Sequence, residues 1–154
     1  NVCDPYVDSA EIAAAGCNPV DNFRDVLPET NFISVHCPLN DETRHIVGKD
    51  ELALMQPDSF VINCARGGIV DEAALMSALD SDAIAGAGID VYETEPPPAD
   101  HPFLKSDKIF LSPHSAGVSV EAARRMSLET ANNLVGALTG KINPATLANP
   151  EVVN

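Results

Sequence analysis

Four short apolar runs alternate with helical stretches, and this alternation constrains the chain more than any other feature. Phe32-Ile33-Ser34-Val35-His36 lies between Asn31 and Pro38 and suits a strand buried on both faces. Phe60–Asn63, the stretch Ile84–Val91 thinned by Gly86 and Gly88, and Ile109–Leu111 read as three more strands. Val2-Cys3 reads as the tail of an earlier strand ending at Asp4. Asp8 and Glu11 form a capping-box pattern before an alanine-rich stretch, which predicts a helix over 9–15 with Gly16 at its exit. A short extended piece near Asn18–Val20 and a helical turn near Asn22–Val26 follow. Lys49–Met55 reads as helix, with Leu52 and Met55 on one side, broken by Pro57-Asp58. Asp71 caps a helix over Glu72–Leu79 whose inner stripe is Leu75, Ala78 and Leu79. Ser119 caps the longest helix, 120–139, with a stripe of Val120, Ala123, Leu128, Ala131, Leu134, Val135 and Leu138, ended by Gly140. The tail from Lys141, with two prolines, reads as an extended arm.

This order predicts an α/β fold, a parallel sheet with helices on both faces. Such sheets bind ligands beyond the carboxyl ends of their strands. Three motifs fall there: Asn63-Cys64-Ala65-Arg66-Gly67-Gly68-Ile69-Val70-Asp71-Glu72, Gly88-Ile89-Asp90-Val91-Tyr92-Glu93-Thr94-Glu95-Pro96, and Ser112-Pro113-His114-Ser115-Ala116-Gly117. Asp4 and His36 fall at predicted strand ends as well.

The chain of 154 residues fits one domain with a real core. Its formal net charge of −14 argues against a nucleic-acid or anionic-membrane surface. No apolar run is long enough to span a membrane, and the first residues carry no signal-peptide pattern. Cys3, Cys17, Cys37 and Cys64 show no paired spacing and read as reduced thiols of a cytoplasmic protein. No Cys/His spacing suggests zinc.

Each motif supplies a different functional group. Arg66, the only charge between Phe60 and Val70, offers a guanidinium fork matched to a carboxylate. The glycines after it permit a sharp turn and close approach of a ligand. Glu95 alone reads as a solvated loop residue, and His114 alone as a loop histidine. Together they make an acid–base pair, because a carboxylate on one imidazole nitrogen fixes the tautomer and favours the protonated ring. Asp4 reads equally as a ribose-binding aspartate or as a turn residue before Pro5. Asp90 suits an acceptor for an amide, or a turn cap. His36-Cys37-Pro38 reads as an adenosine-side lining or a plain strand stop. His45 and His101 have no evident partner and read as surface residues. Gly86-Ala87-Gly88 is followed by a proline-rich loop, not a helix, so it is no dinucleotide loop.

On these motifs the chain resembles the NAD-binding domain of the D-isomer-specific 2-hydroxyacid dehydrogenases, nearest their phosphoglycerate dehydrogenase and hydroxypyruvate/glyoxylate reductase branches. The resemblance implies a Rossmann-like sheet, NAD as cofactor and a small 2-hydroxy or 2-oxo acid as substrate. It implies that Arg66 binds the substrate carboxylate and that Glu95 partners the catalytic His114. It places Asp4 at the adenine ribose and Asp90 at the nicotinamide amide. Cys37, Cys64, Ala65, Ala116 and Gly117 match cofactor-lining positions, beside Arg66 and His114. A homodimer is the expectation for the full-length protein. The chain departs from the pattern in one large respect. The family's first strand and Gly-x-Gly-x-x-Gly loop, upstream of the position of Asp4, have no counterpart here. The expected sheet is therefore incomplete at its N-terminal edge. The expected division is a partial NAD-binding domain over 1–118, then a long helix and arm over 119–154 returning toward a substrate domain. A NAD-sensing module of corepressor type, and a fragment inactive by itself that binds NAD weakly or not at all, are the alternative expectations.

Overall fold

The computed structural model describes residues 1–153. The chain divides into two compact units, Asn1–His114 and Ser115–Asn154.

In the first unit, β1 (Phe32–Val35), β2 (Phe60–Asn63), β3 (Gly86–Ile89) and β4 (Ile109–Leu111) form a parallel sheet in the order β1-β2-β3-β4. This is a Rossmann-like arrangement. The register makes the strand ends level: Val35 pairs with Asn63, Asn63 with Ile89, and Ile89 with Leu111. Whatever follows each strand therefore emerges at one edge.

Helix α1 (Ser9–Ala14) begins where the Asp8 carboxylate accepts the Ala10 N–H. It stops at Gly16, whose φ of +79° is open to a residue without Cβ. The predicted turn after Asn22 is a longer 3₁₀ segment, Phe23–Glu29. Helix α2 (Lys49–Leu54) starts where Glu51 accepts the Gly48 N–H, and it buries Leu52. Helix α3 (Glu72–Asp80) is capped by Asp71, which accepts the Ala74 N–H at 2.9 Å. Its Leu75 and Leu79 are fully buried, as the helical spacing predicts. Each such leucine contributes about 1.5–3 kcal/mol. Beside them the core gathers Val61, Ile69, Ile84, Ile89 and Phe103.

Strand β1 differs from expectation. Only Val35 is buried, and Phe32 is 68% exposed, stacked on Phe60 at 5.4 Å. The reason is position: β1 is an edge strand, and no described strand pairs with its outer side. Val2 makes a separate parallel bridge with Pro19 and does not join the sheet.

In the second unit, α4 (Val120–Leu138) starts at Ser119, whose Oγ accepts the Ala122 N–H at 3.1 Å. It ends at Gly140 (φ +70°), with the Lys141 N–H returning to the Gly136 carbonyl at 2.8 Å. The predicted stripe is present but exposed; no residue of α4 is buried. The tail is not a plain extended arm, because 3₁₀ turns form at Pro144–Thr146 and Pro150–Val153.

Candidate functional site

The residue that ends β2 shapes the first loop. Asn63 is buried, and its side chain bridges the turn. Its Oδ1 accepts the Ala65 N–H at 3.1 Å, and its Nδ2 donates to the Arg66 carbonyl at 2.9 Å. Beyond the turn, the His45 N–H bonds the Gly68 carbonyl at 2.7 Å, and Val47 bridges Val70 in parallel. Arg66 thus stands exposed on a backbone tied at both sides. Its guanidinium donates to the Ala65 carbonyl at 2.6 Å.

Gly67 plays a different part from the one expected of it. A Cβ there would lie 1.9 Å from the Tyr92 carbonyl oxygen. The glycine lets the protein's own second loop approach. Gly68 takes φ +80°, where a side chain is strained.

The second loop leaves β3 through Asp90, which is buried and accepts the Ser112 hydroxyl at 2.5 Å. Tyr92 is buried too. Its hydroxyl donates to the Ser112 carbonyl at 3.1 Å, and its N–H donates to Glu95 Oε1 at 3.0 Å. The Tyr92 phenol is pushed up by burial, and further by the charges of Asp90, Glu95 and Glu72. The Glu95–Pro96 bond is cis.

The third loop brings His114 to Glu95. Its Nδ1 lies 2.7 Å from Glu95 Oε2, with side chains 47% and 36% exposed. His114 has φ +54°, a backbone region sparsely used by non-glycine residues. The His114 hydrogen bond is the main cause that holds the Glu95 carboxyl below the ordinary value of 4.5; the Tyr92 N–H adds to it, and the charge of Arg66 also reaches it. The Glu95–His114 pair thus lies within reach of the Arg66 charge. This group can hold an anion and move a proton on and off an oxygen.

The other expected site residues are placed less tightly. Asp4 is exposed and accepts the Tyr6 N–H at 2.8 Å. Cys37 packs against the core after β1, while Cys64 is exposed and Ala65 half-buried after β2. His36 pairs with Ser34 Oγ at 2.8 Å. Ala116 and Gly117 belong to the second unit, in a turn closed by the Val118 N–H on the Ser115 carbonyl.

His45 and His101 both have partners, which corrects the reading of them as unpartnered; His45 is on the surface as expected, and His101 is not. His45 Nε2 lies 2.9 Å from Glu93 Oε1. His101 Nε2 lies 3.0 Å from Glu72 Oε2, with side chains only 11% and 19% exposed. Both partners are distant in sequence, so only the fold reveals them: α3 brings Glu72 to His101, and the segment before α2 brings His45 to Glu93. Asn63 and Tyr92 were also missed. A polar residue closing an otherwise apolar strand is the one signal that could have marked Asn63.

Residues 1–116 match the model of the D-isomer specific 2-hydroxyacid dehydrogenase NAD-binding domain. Among curated proteins, a glyoxylate reductase of Korarchaeum cryptofilum is 44% identical over 128 residues, 83% of this chain and 38% of that protein. A D-3-phosphoglycerate dehydrogenase of Methanocaldococcus jannaschii is 34% identical over 149 residues, 97% of this chain and 28% of that protein. Among solved structures, a putative D-3-phosphoglycerate dehydrogenase of Ralstonia solanacearum superposes with a TM-score of 0.80 at 29% identity, covering 92% of this chain and 41% of that one. The chain thus spans less than half the length of these relatives. With the matched domain and level strand ends in agreement, the chain belongs to the D-isomer-specific 2-hydroxyacid dehydrogenase family, through that family's NAD-binding domain.

Proposed function

We propose that the protein carrying this chain is a NAD-dependent oxidoreductase acting on the CH–OH group of a small 2-hydroxy acid. The observation that carries the reading is the 2.7 Å pair of His114 and Glu95 beside Arg66, at the common edge of the sheet. The names of the relatives, glyoxylate reductase and D-3-phosphoglycerate dehydrogenase, support the substrate class.

Arg66 holds the substrate carboxylate through its fork. His114, bonded to Glu95 through Nδ1, uses Nε2 to take the hydroxyl proton in oxidation and to return it to the carbonyl oxygen in reduction. Glu95 keeps the ring oriented and balances its charge. NAD, when bound, supplies the hydride acceptor, and its reduced form the donor.

The residues present suit that cofactor at its two ends. The Asp90 carboxylate has the acceptor chemistry an amide group needs. The small side chains of Cys37, Cys64 and Ala65 leave backbone approachable after β1 and β2. Asp4 would meet the ribose hydroxyls, and Ala116 and Gly117 remain cofactor-lining candidates by their match to the family pattern. A homodimer and a cytoplasmic setting belong to the same reading. No helix among the described residues is long and apolar enough to cross a membrane.

The test is hydride transfer by the native polypeptide with NADH and glyoxylate, with NADH and hydroxypyruvate, and with NAD and 3-phosphoglycerate. Turnover with any of them is the expected result. NADH-dependent self-association with no turnover would instead make the protein a sensor.

A further inference from the structure

The pair His101–Glu72 lies outside the reacting group, yet it is bonded to the loop that carries Glu95. Glu72 opens α3, and its two carboxylate oxygens do different work. Oε1 accepts the Glu93 N–H at 2.8 Å, and Oε2 meets His101 Nε2 at 3.0 Å. His101 is itself fixed. Its Nδ1 accepts the Phe103 N–H at 3.3 Å, so the ring proton sits on Nε2 and is donated to Glu72. The ring meets Phe103 edge-on at 4.8 Å and Tyr92 edge-on at 6.0 Å. Phe103 is fully buried. A continuous set of bonds therefore runs from the core at Phe103, through His101 and Glu72, to the Glu93 backbone. One residue earlier, the Tyr92 N–H holds Glu95, and Glu95 holds His114.

We propose that Glu72, braced by His101, is a positioning residue that sets the 92–95 loop so that Glu95 meets both the Tyr92 N–H and His114. The consequence for function rests on the dehydrogenase reading above; the consequence for geometry does not. Three groups face Glu95: His114, the Tyr92 N–H and, by its charge, Arg66. All three favour its ionised form. If the loop shifts, these contacts loosen and the Glu95 titration midpoint rises. Removal of the Glu72 charge by itself would act the other way, because one less negative neighbour lowers a carboxyl's midpoint. Position and charge therefore predict opposite signs.

The experiment follows the Glu95 carboxyl by NMR titration in the 154-residue chain and in three variants. Glu72→Ala removes both bonds and should raise the midpoint. Glu72→Gln keeps an acceptor for the Glu93 N–H but turns its amide NH2 toward the His101 Nε2–H, so it loses the brace alone and should raise the midpoint by less than Glu72→Ala. His101→Phe keeps the ring packing, removes the donor to Glu72, and should raise the midpoint by less than Glu72→Ala. Asp80→Asn, on the open concavity of about 970 Å³ that Glu72 and His101 also line, makes no bond to the loop and should change nothing. An unchanged or lowered midpoint in folded Glu72→Ala overturns the proposal. Should that variant not fold, an unchanged midpoint in His101→Phe overturns it. In the native enzyme, Glu72→Ala should lower kcat about tenfold or more with KM within about twofold, and Glu72→Gln, which keeps only the bond to the Glu93 N–H, should restore part of the loss. A native protein with no hydride transfer would remove the dehydrogenase reading and leave the titration to judge the positioning.

Discussion

Three histidine–carboxylate pairs meet on the loop from Tyr92 to His101, and two of them, His114–Glu95 and His101–Glu72, differ in what surrounds them. His114 and Glu95 are 47% and 36% exposed, at 2.7 Å. His101 and Glu72 are 11% and 19% exposed, at 3.0 Å. Both nitrogens of His101 are committed, one to Glu72 and one to the Phe103 N–H. A ring held at both nitrogens and packed on two aromatic edges has no proton to lend. His114 is tied to Glu95 through Nδ1 and stands at the edge where the strand ends are level. On the proposed reading, the same two residue types make a brace in one place and an acid–base pair in the other. Burial and the number of bonds decide which.

The largest expected effect separates the two. His114→Ala should lower turnover about 10²–10⁴-fold, the usual range for a lost general acid–base, with NADH binding retained. His101→Ala should lower thermal stability more than His114→Ala does, because it removes two hydrogen bonds and two ring contacts from a half-buried site. Turnover and melting temperature measured on both variants give the answer. Near-normal turnover in His114→Ala would sink its assignment, and equal stability losses would erase the distinction.

Next comes the glycine that brings the loops together. Gly67→Ala places a Cβ 1.9 Å from the Tyr92 carbonyl oxygen, so the Arg66 and Glu95 loops must part. The expected cost is about 1–3 kcal/mol of stability, read as a fall of several degrees in Tm. Activity should fall with it. Gly117→Ala, with open space at the Cβ position, should melt like the parent.

That contrast bears on what the sequence discloses. The strands β2 and β4 and the helices α2, α3 and α4 were legible to within a residue or two, because their apolar spacing and caps are local signals. Asp71, Ser119 and Gly140 mark ends that the backbone then uses. The pairing of Glu95 with His114 was legible because each stands in a dense local motif after a strand. The brace was not, since Glu72 and His101 are 29 positions apart and neither carries a local sign of the other. The role of Gly67 was misjudged for the same reason, its close neighbour being Tyr92. Burial of β1 was overestimated because composition shows a strand's apolarity and not whether a neighbour covers it.

Arg66→Lys tests the anion-binding half of the exposed group. Lysine keeps the charge and loses the planar fork. The substrate KM should rise about tenfold and turnover should fall, in line with the loss of one charge-assisted hydrogen bond. An unchanged KM would mean that Arg66 serves Glu95 and not the substrate.

The smallest expected effect is on stability, and it sharpens the comparison from the other side. The Glu95 carboxyl is held below 4.5 in the folded chain, first by the His114 hydrogen bond and then by the Tyr92 N–H. A depressed folded pKa means the unfolded chain binds the proton more readily. The contribution is then full above the unfolded value and lost as pH falls through the folded one. Because the pair is more than a third exposed, water and salt screen it, and exposed pairs are worth about 0–1 kcal/mol. Glu95→Gln should accordingly shift Tm at neutral pH by no more than a few degrees, and the shift should shrink further in high salt and vanish once the pH is below the folded value. Turnover in the same variant should drop well beyond that, because a neutral amide orients the imidazole without balancing its charge. A variant that lost as much stability as His101→Ala would show that Glu95 braces the loop as well, and the two pairs would then differ in exposure alone.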